Sequence, residues 1–89
     1  MIIQEIGEWH VEHFGNKGEN PHIFRKLQEE FQEFMANPSS EECADIIIVL
    51  SAWAYRNGVD LDAAVRDKFD IVKRRDQLQR DIDRGLYNE

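Results

Sequence analysis

The sequence predicts an all-α, four-helix bundle-like protein whose core is completed by association of identical chains. Apolar residues recur at three- and four-residue spacing in four stretches, and Gly, Asn and Pro residues separate the stretches. The third stretch is apolar on nearly every face, so it needs neighbours all round. A chain of 89 residues is long enough for one domain, expected over 1–89, and too short to enclose such a helix alone. We therefore expect a homo-oligomer, a dimer or a tetramer, with the third helix in its interface.

The first two helices are predicted from their apolar stripes and their ends. The first covers about 2–14 and stops at a loop over 15–21 that contains two glycines and a proline. The second covers about 21–35, with Pro21 in its first turn and Asn20 as its cap. Its stripe consists of Phe24, Leu27, Phe31, Phe34 and Met35.

The third and fourth helices carry clear capping signals. Ser39 followed by Glu42 is a capping-box pattern that opens the third helix, about 40–57, and Asn57-Gly58 closes it. The run of isoleucines at 46–48 is compatible with a strand, but the caps and the length favour a helix. Asp60 can cap a fourth helix from about Leu61 into the eighties. Cys43, the only cysteine, is expected to be a small buried hydrophobe in a protein from a reducing compartment.

The charge distribution restricts the partners that the protein can have. The net charge is −7, and residues 1–45 hold ten acidic and three basic residues, whereas the remainder is balanced. No basic face is available to hold nucleic-acid phosphates, so direct nucleic-acid binding is not expected. The sequence has neither a signal-peptide pattern nor an apolar run of about 18 residues, so we expect a cytoplasmic protein with no membrane segment.

Two pairs of acidic residues are the sequence feature that suggests a functional site. Glu30 and Glu33 are three residues apart on the second helix, and Glu42 and Asp45 are three apart on the third. The short turn between these helices makes them antiparallel, so the four carboxylates can converge. An oxygen-only cluster suits a hard cation such as Mg²⁺, although helix-surface glutamates and caps are also common without any metal.

The ordered motifs resemble those of the MazG-like all-α nucleoside triphosphate pyrophosphohydrolases. The stretches that carry the resemblance are KLQEEFQEF, with an EExxE motif, and EECADIIIVLSAWAYRNGVDLDAAVRDKFDIVKRR, with an ExxD motif, a G-V-D-L turn and a late Lys and Arg. Together they span about 24–76. Val72 and Asp76 depart from the pattern of many relatives, at positions where an asparagine and an aromatic residue often stand.

The resemblance implies a function and a set of site residues. The reaction would be hydrolysis of a (deoxy)nucleoside triphosphate at the α-phosphorus, with Mg²⁺, or Mn²⁺ as a substitute, as the cofactor. The implied metal ligands are Glu30, Glu33, Glu42 and Asp45. Glu29 would act on the attacking water together with Glu33, or would hold a further ion. Lys68 and Arg75 match the late Lys and Arg positions that would bind substrate.

A nucleobase also needs a flat apolar surface and a few polar groups. The aromatic side chains of the first helix are candidates for that surface: Trp9 ahead of His10, His13 and Phe14, with Lys17 in the following loop. Two other functions stay open. One is phosphoribosyl-ATP pyrophosphatase, for which the spacing between the acidic motifs is short, and the other is a non-catalytic acidic helical module for oligomerisation or inhibition.

Overall fold

Over residues 2–85, the protein consists of four α-helices and one short 3₁₀-helix. The computed structural model describes residues 2–85, and no strand occurs in that range. The elements are α1 (Ile3–Phe14), the 3₁₀-helix Gly15–Gly18, α2 (Asn20–Ala36), α3 (Ser40–Arg56) and α4 (Leu61–Asp83). The all-α prediction is confirmed, but part of the expected loop over 15–21 is a 3₁₀ turn. Met1 and residues 86–89, which the predicted domain includes, lie outside the described residues.

The ends of α3 and α4 follow the capping signals in the sequence. The Ser39 hydroxyl accepts a hydrogen bond from the Glu42 backbone N–H at 3.1 Å, and Asp60 Oδ1 accepts one from the Ala63 N–H at 3.0 Å. Gly58 adopts φ of 69°, a left-handed conformation that glycine reaches without strain, and ends α3 as predicted. The capping prediction for Asn20 was wrong, because Asn20 is already helical and the residue before α2 is Glu19, which makes no capping bond.

α3 is the central element, and α1 and α2 both pack against it. The Asn20 and Asn57 side-chain amides exchange hydrogen bonds of 3.0 and 3.3 Å, which ties the start of α2 to the end of α3. α2 and α3 are therefore antiparallel, and the end of α2 lies beside the start of α3. This register determines which side chains of the two helices can meet.

The contact between α1 and α3 is close because it uses a glycine. Gly7 is buried, and a Cβ atom at this position would collide with the Tyr55 side chain. The buried apolar side chains of the described residues are few, and two of the four are alanines: Ile3, Ile23, Ala52 and Ala54. A core of this size contributes little stability on its own.

α4 extends away from the other three helices. None of its residues is buried, and Phe69 on its apolar side is 57% exposed. The radius of gyration is 17.6 Å, whereas a compact chain of this length would have one of about 12 Å. The four helices thus do not close into a bundle within one chain, and large apolar side chains on α3 and α4 remain uncovered, among them Ile47, Ile48, Val65 and Phe69.

The position of Cys43 differs from the prediction that this residue is buried. It is exposed, not buried, because only one side of the first turns of α3 faces α2. Glu42 and Asp45 occupy that side and are partly buried, whereas Cys43 points outward. Over residues 2–85, none of the helices is both long and apolar enough to cross a membrane.

Candidate metal centre and adjoining pocket

The four carboxylates predicted to converge do so. Glu30 and Glu33 project from the second half of α2, and Glu42 and Asp45 project from the first turns of α3. One ligand oxygen from each of the four lies within 4.8 Å of all the others. The i, i+3 spacing on each helix and the antiparallel register bring them together.

Glu30 is the unusual member of the cluster because it is buried. The residue is 5% exposed; its Oε1 atom lies 3.1 Å from Lys26 Nζ, whereas Oε2 is buried without a hydrogen-bond partner. Glu42 Oε2 is also buried and unpartnered. A buried anionic oxygen without a partner costs free energy, on the order of 1–3 kcal/mol or more. These two oxygen atoms therefore favour an additional cation between α2 and α3.

The electrostatics of the neighbouring groups also favour a cation at the cluster. The pKa of Glu33 is raised, first because a proton on its carboxyl could be shared with the Glu30 carboxylate and then by the negative charges of Glu30 and Glu42. The pKa of Lys26 is also raised, chiefly by its hydrogen bond to Glu30. One ammonium group thus faces several carboxylates, and the cluster retains excess negative charge at neutral pH.

The donor set fits a small hard cation. Mg²⁺ binds oxygen ligands at about 2.1 Å in octahedral geometry, so opposite ligands lie about 4.2 Å apart. The 4.8 Å span of the four oxygen atoms needs only a small contraction to reach that value. No thiol or imidazole belongs to the cluster, which argues against softer metals. Glu30, Glu33, Glu42 and Asp45 would hold the ion.

A cavity of about 440 Å³ adjoins the carboxylates. Its wall combines aromatic rings from the α1 side, cations and carboxylates from α2, and residues of α3. The lining side chains are Trp9, His10, Phe14, His22, Ile23, Arg25, Lys26, Glu29, Glu30, Asp45, Ile48 and Val49. Two of the carboxylates that could hold a cation thus line a pocket large enough for a small organic ligand.

The aromatic wall is a connected set of rings. Phe14 lies in its centre, with ring centroids 4.7 Å from His10, 5.0 Å from His22 and 5.9 Å from Trp9. Trp9 is 53% exposed although it is a large apolar group, and its ring stacks on that of His13 with 4.9 Å between the centroids. An exposed aromatic surface inside a pocket is suited to stacking against a flat ring.

His10 is held in place by Arg56, a residue that no sequence pattern connects with it. Arg56, at the end of α3, donates from Nε to His10 Nδ1 at 2.7 Å and from Nη2 to the His10 carbonyl oxygen at 3.1 Å. Burial and then the Arg56 charge lower the pKa of His10, with smaller contributions from the other two histidines. His10 is thus a neutral imidazole in the pocket wall.

Only some of the residues expected to act on or bind the substrate line the pocket. Trp9 lines the pocket, and Glu29 lies on its rim, 3.7 Å from Lys26 Nζ. Lys17 belongs to the 3₁₀-helix and does not line the pocket, and Lys68 and Arg75 lie on the exposed surface of α4. Their roles as substrate ligands stay predictions.

The pocket cations that the structure does provide were missed from the sequence. Arg25 and Lys26 line the cavity from α2. The i, i+4 spacing of Lys26 and Glu30 was a usable signal, because such pairs lie on one helix face. His22 and Arg56 had no such signal, since their neighbours His10 and Phe14 lie on another helix.

The comparisons with known proteins add no family assignment. No protein-family model, no curated protein and no solved structure matches the chain. The function is therefore inferred from the chemistry of the carboxylate cluster and the pocket, and the MazG-like resemblance remains a prediction.

Proposed function

We propose that the protein is a Mg²⁺-dependent nucleoside triphosphate pyrophosphohydrolase that acts on (deoxy)nucleotides. The observation that carries this proposal is the buried, unpartnered Oε2 of Glu30, which belongs to four converging carboxylates and lies in a pocket with an aromatic wall. Carboxylates alone would repel a phosphate. A cation held by them, with Arg25 and Lys26 beside it, turns the acidic end of the pocket into a phosphate site.

In the proposed reaction, water attacks the α-phosphorus and pyrophosphate leaves. A bond forms between the water oxygen and phosphorus, and the bond from that phosphorus to the α,β-bridging oxygen breaks with its electron pair. A bound Mg²⁺ would neutralise phosphate charge and lower the pKa of a water molecule. Glu29, exposed on the pocket rim, and Glu33 would orient the water, and either carboxylate can accept the proton that it loses.

The side chains around the pocket suit the remaining parts of a nucleotide. Trp9 and Phe14 offer faces for stacking against the base, and Arg25 can engage phosphate oxygens with two parallel N–H groups. Lys26 can exchange part of its contact with Glu30 for a phosphate, since about half of its side chain is exposed. The pocket therefore offers an apolar end for the base and a charged end for the triphosphate.

Self-association is part of the same proposal. Phe69 and Val65 on α4 and Ile47 on α3 are large apolar side chains that the chain itself leaves exposed. A stable interface buries about 1,200–2,000 Å² in total, and a 23-residue helix about 34 Å long offers enough surface for one. A second copy that covers α4 would supply the packing that this helix lacks within one chain.

The test is an assay with a panel of (deoxy)nucleoside triphosphates, with and without Mg²⁺. Formation of monophosphate and pyrophosphate is expected only with the metal, with Mn²⁺ as a weaker or comparable substitute. Glu30→Gln and Asp45→Asn should abolish turnover, whereas Glu12→Gln, which removes an exposed carboxylate on α1 remote from the cluster, should not. Absence of turnover for every nucleotide, or full activity in both cluster variants, would overturn the proposal.

A further inference from the structure

The hydrogen bond from Arg56 determines which ring nitrogen of His10, a residue of the pocket wall, carries the proton. A guanidinium group has only donors and stays charged, so His10 Nδ1, which accepts from Arg56 Nε at 2.7 Å, must carry a lone pair. The single proton of the neutral ring therefore lies on Nε2. Among the described residues, no group accepts a hydrogen bond from that Nε2–H, and His10 lines the pocket.

The His10 proton cannot easily move from Nε2 to Nδ1. Moving the proton to Nδ1 would set an N–H against the Arg56 guanidinium, and burial together with that guanidinium lowers the pKa of His10 and opposes the doubly protonated form. The backbone also holds the pair in place. A Cβ atom on Gly18 would come within 2.7 Å of both Arg56 Nη2 and His10 Cε1, so the chain passes directly against them.

The hydrogen bonds from Arg56 tie His10 to the end of α3 that is away from the carboxylates. Its partner Arg56 ends α3, whereas Asp45 lies in the first turns of that helix. The two are eleven residues apart, which is about 16 Å along the helix axis. A nucleotide with its phosphates at the carboxylates would therefore present to His10 the edge of the base farthest from the sugar. That edge carries the substituent on C4 of a pyrimidine or on C6 of a purine.

From this geometry we infer that the pocket selects nucleobases with a keto oxygen at that position, namely uracil, thymine and guanine over cytosine and adenine. This inference rests on the nucleotide-binding function proposed above. A keto oxygen accepts the hydrogen bond from His10 Nε2–H, whereas an exocyclic amino group is itself a donor and would face it with no bond formed. Arg56 is a positioning residue, since it sets the tautomer of His10 without being required to touch the ligand.

The first test compares kcat/KM for deoxyuridine and deoxycytidine triphosphates, which differ at C4. The wild-type protein should prefer the keto substrate about tenfold, the size expected for one hydrogen bond made against one donor left unpaired. In His10→Phe this ratio should fall to near one, while the control variant Glu12→Gln, an exposed position of the same helix outside the pocket wall, should keep the preference of the wild-type protein. A wild-type ratio of one or less, or an unchanged ratio in His10→Phe, would overturn the inference.

Two further measurements separate the role of Arg56 from general destabilisation. Arg56→Lys keeps a donor for Nδ1 and should retain most of the keto preference, whereas Arg56→Leu should lose the preference and still hydrolyse deoxycytidine triphosphate. In the wild-type protein, nitrogen-15 NMR of the three histidines should show His10 protonated on Nε2 alone. A proton on Nδ1 would refute the inference without any variant.

Failure of the inference and failure of the proposed function are distinguishable. If no triphosphate is hydrolysed, the proposed function fails, and the base preference can still be measured as the ratio of dissociation constants for deoxyuridine and deoxycytidine monophosphates, from tryptophan fluorescence of a Trp53→Phe variant in which Trp9 is the reporter. If hydrolysis occurs with equal preference for keto and amino bases, only the inference fails.

Discussion

The Glu30→Gln variant should be more stable than the wild-type protein without Mg²⁺ and less stable than the wild-type protein with Mg²⁺. Without divalent ions, the variant should unfold at the higher temperature, because the change removes a buried anionic oxygen with no partner. The unpartnered oxygen lowers the free energy of unfolding by about 1–3 kcal/mol. The substitution also weakens the ion pair with Lys26, but Lys26 is half-exposed, so this pair contributes less than about 1 kcal/mol. A net gain of about 1 kcal/mol raises the melting temperature of a domain this size by about 4–8 °C.

With Mg²⁺ present, the order should change. At a free concentration about 100 times its Kd, a ligand that binds only the folded protein contributes about 2.7 kcal/mol, so wild-type melting should rise by about 10–20 °C. If the loss of one carboxylate weakens binding about 100-fold, the same concentration stabilises the Glu30→Gln variant by only about 0.4 kcal/mol, or about 2–3 °C.

The assay is differential scanning calorimetry at pH 7 in EDTA and in Mg²⁺. Glu12→Gln, which removes an exposed carboxylate away from the cluster, serves as the control and should respond to Mg²⁺ as the wild-type protein does. Equal Mg²⁺ shifts in the wild-type protein and in Glu30→Gln would refute the reasoning, as would a variant that is less stable than the wild-type protein in EDTA.

Other predictions concern pH, packing and assembly. The pKa of Glu33 is raised in the folded protein, so its contribution to stability is full below its ordinary value of 4.5 and is lost as the pH rises through the folded value. Urea denaturation in EDTA should therefore show Glu33→Gln to be more stable than the wild-type protein at pH 7 and no more stable below pH 4.5; a constant difference would contradict this. Ile23→Val removes a methylene group from a side chain that is 2% exposed and should cost about 0.5–1.5 kcal/mol in chemical denaturation, whereas Ile2→Val at an exposed site should cost less than about 0.5 kcal/mol. Phe69→Asp should reduce the mass measured by light scattering to that of one chain, 10.5 kDa, and an unchanged mass would exclude this side of α4 from the interface.

Local patterns in the sequence were sufficient to predict the helices and the carboxylate cluster. Helix periodicity, the Ser39 and Asp60 caps and the Gly58 stop are properties of a few neighbouring residues, and each was reproduced. The cluster followed as well, because i, i+3 pairs on two helices joined by a short turn have few alternative arrangements. The sequence could therefore predict the end of the pocket that would bind the metal.

The rest depends on tertiary packing between distant residues. Arg56 and His10 are 46 residues apart, and nothing near either residue indicates their hydrogen bond. The exposure of Cys43 depends on which side of α3 meets α2, and composition around it suggested the opposite. The separation of α4 could not be anticipated, since its apolar stripe is equally compatible with packing inside one chain or between two.

The most direct test of the central claim is hydrolysis of a deoxynucleoside triphosphate in water enriched in oxygen-18, followed by mass spectrometry of the products. Attack at the α-phosphorus predicts one labelled oxygen in the monophosphate, none in the pyrophosphate, and no reaction when Mg²⁺ is withheld. Label in the pyrophosphate, release of diphosphate with inorganic phosphate, or no turnover of any nucleotide would contradict the account.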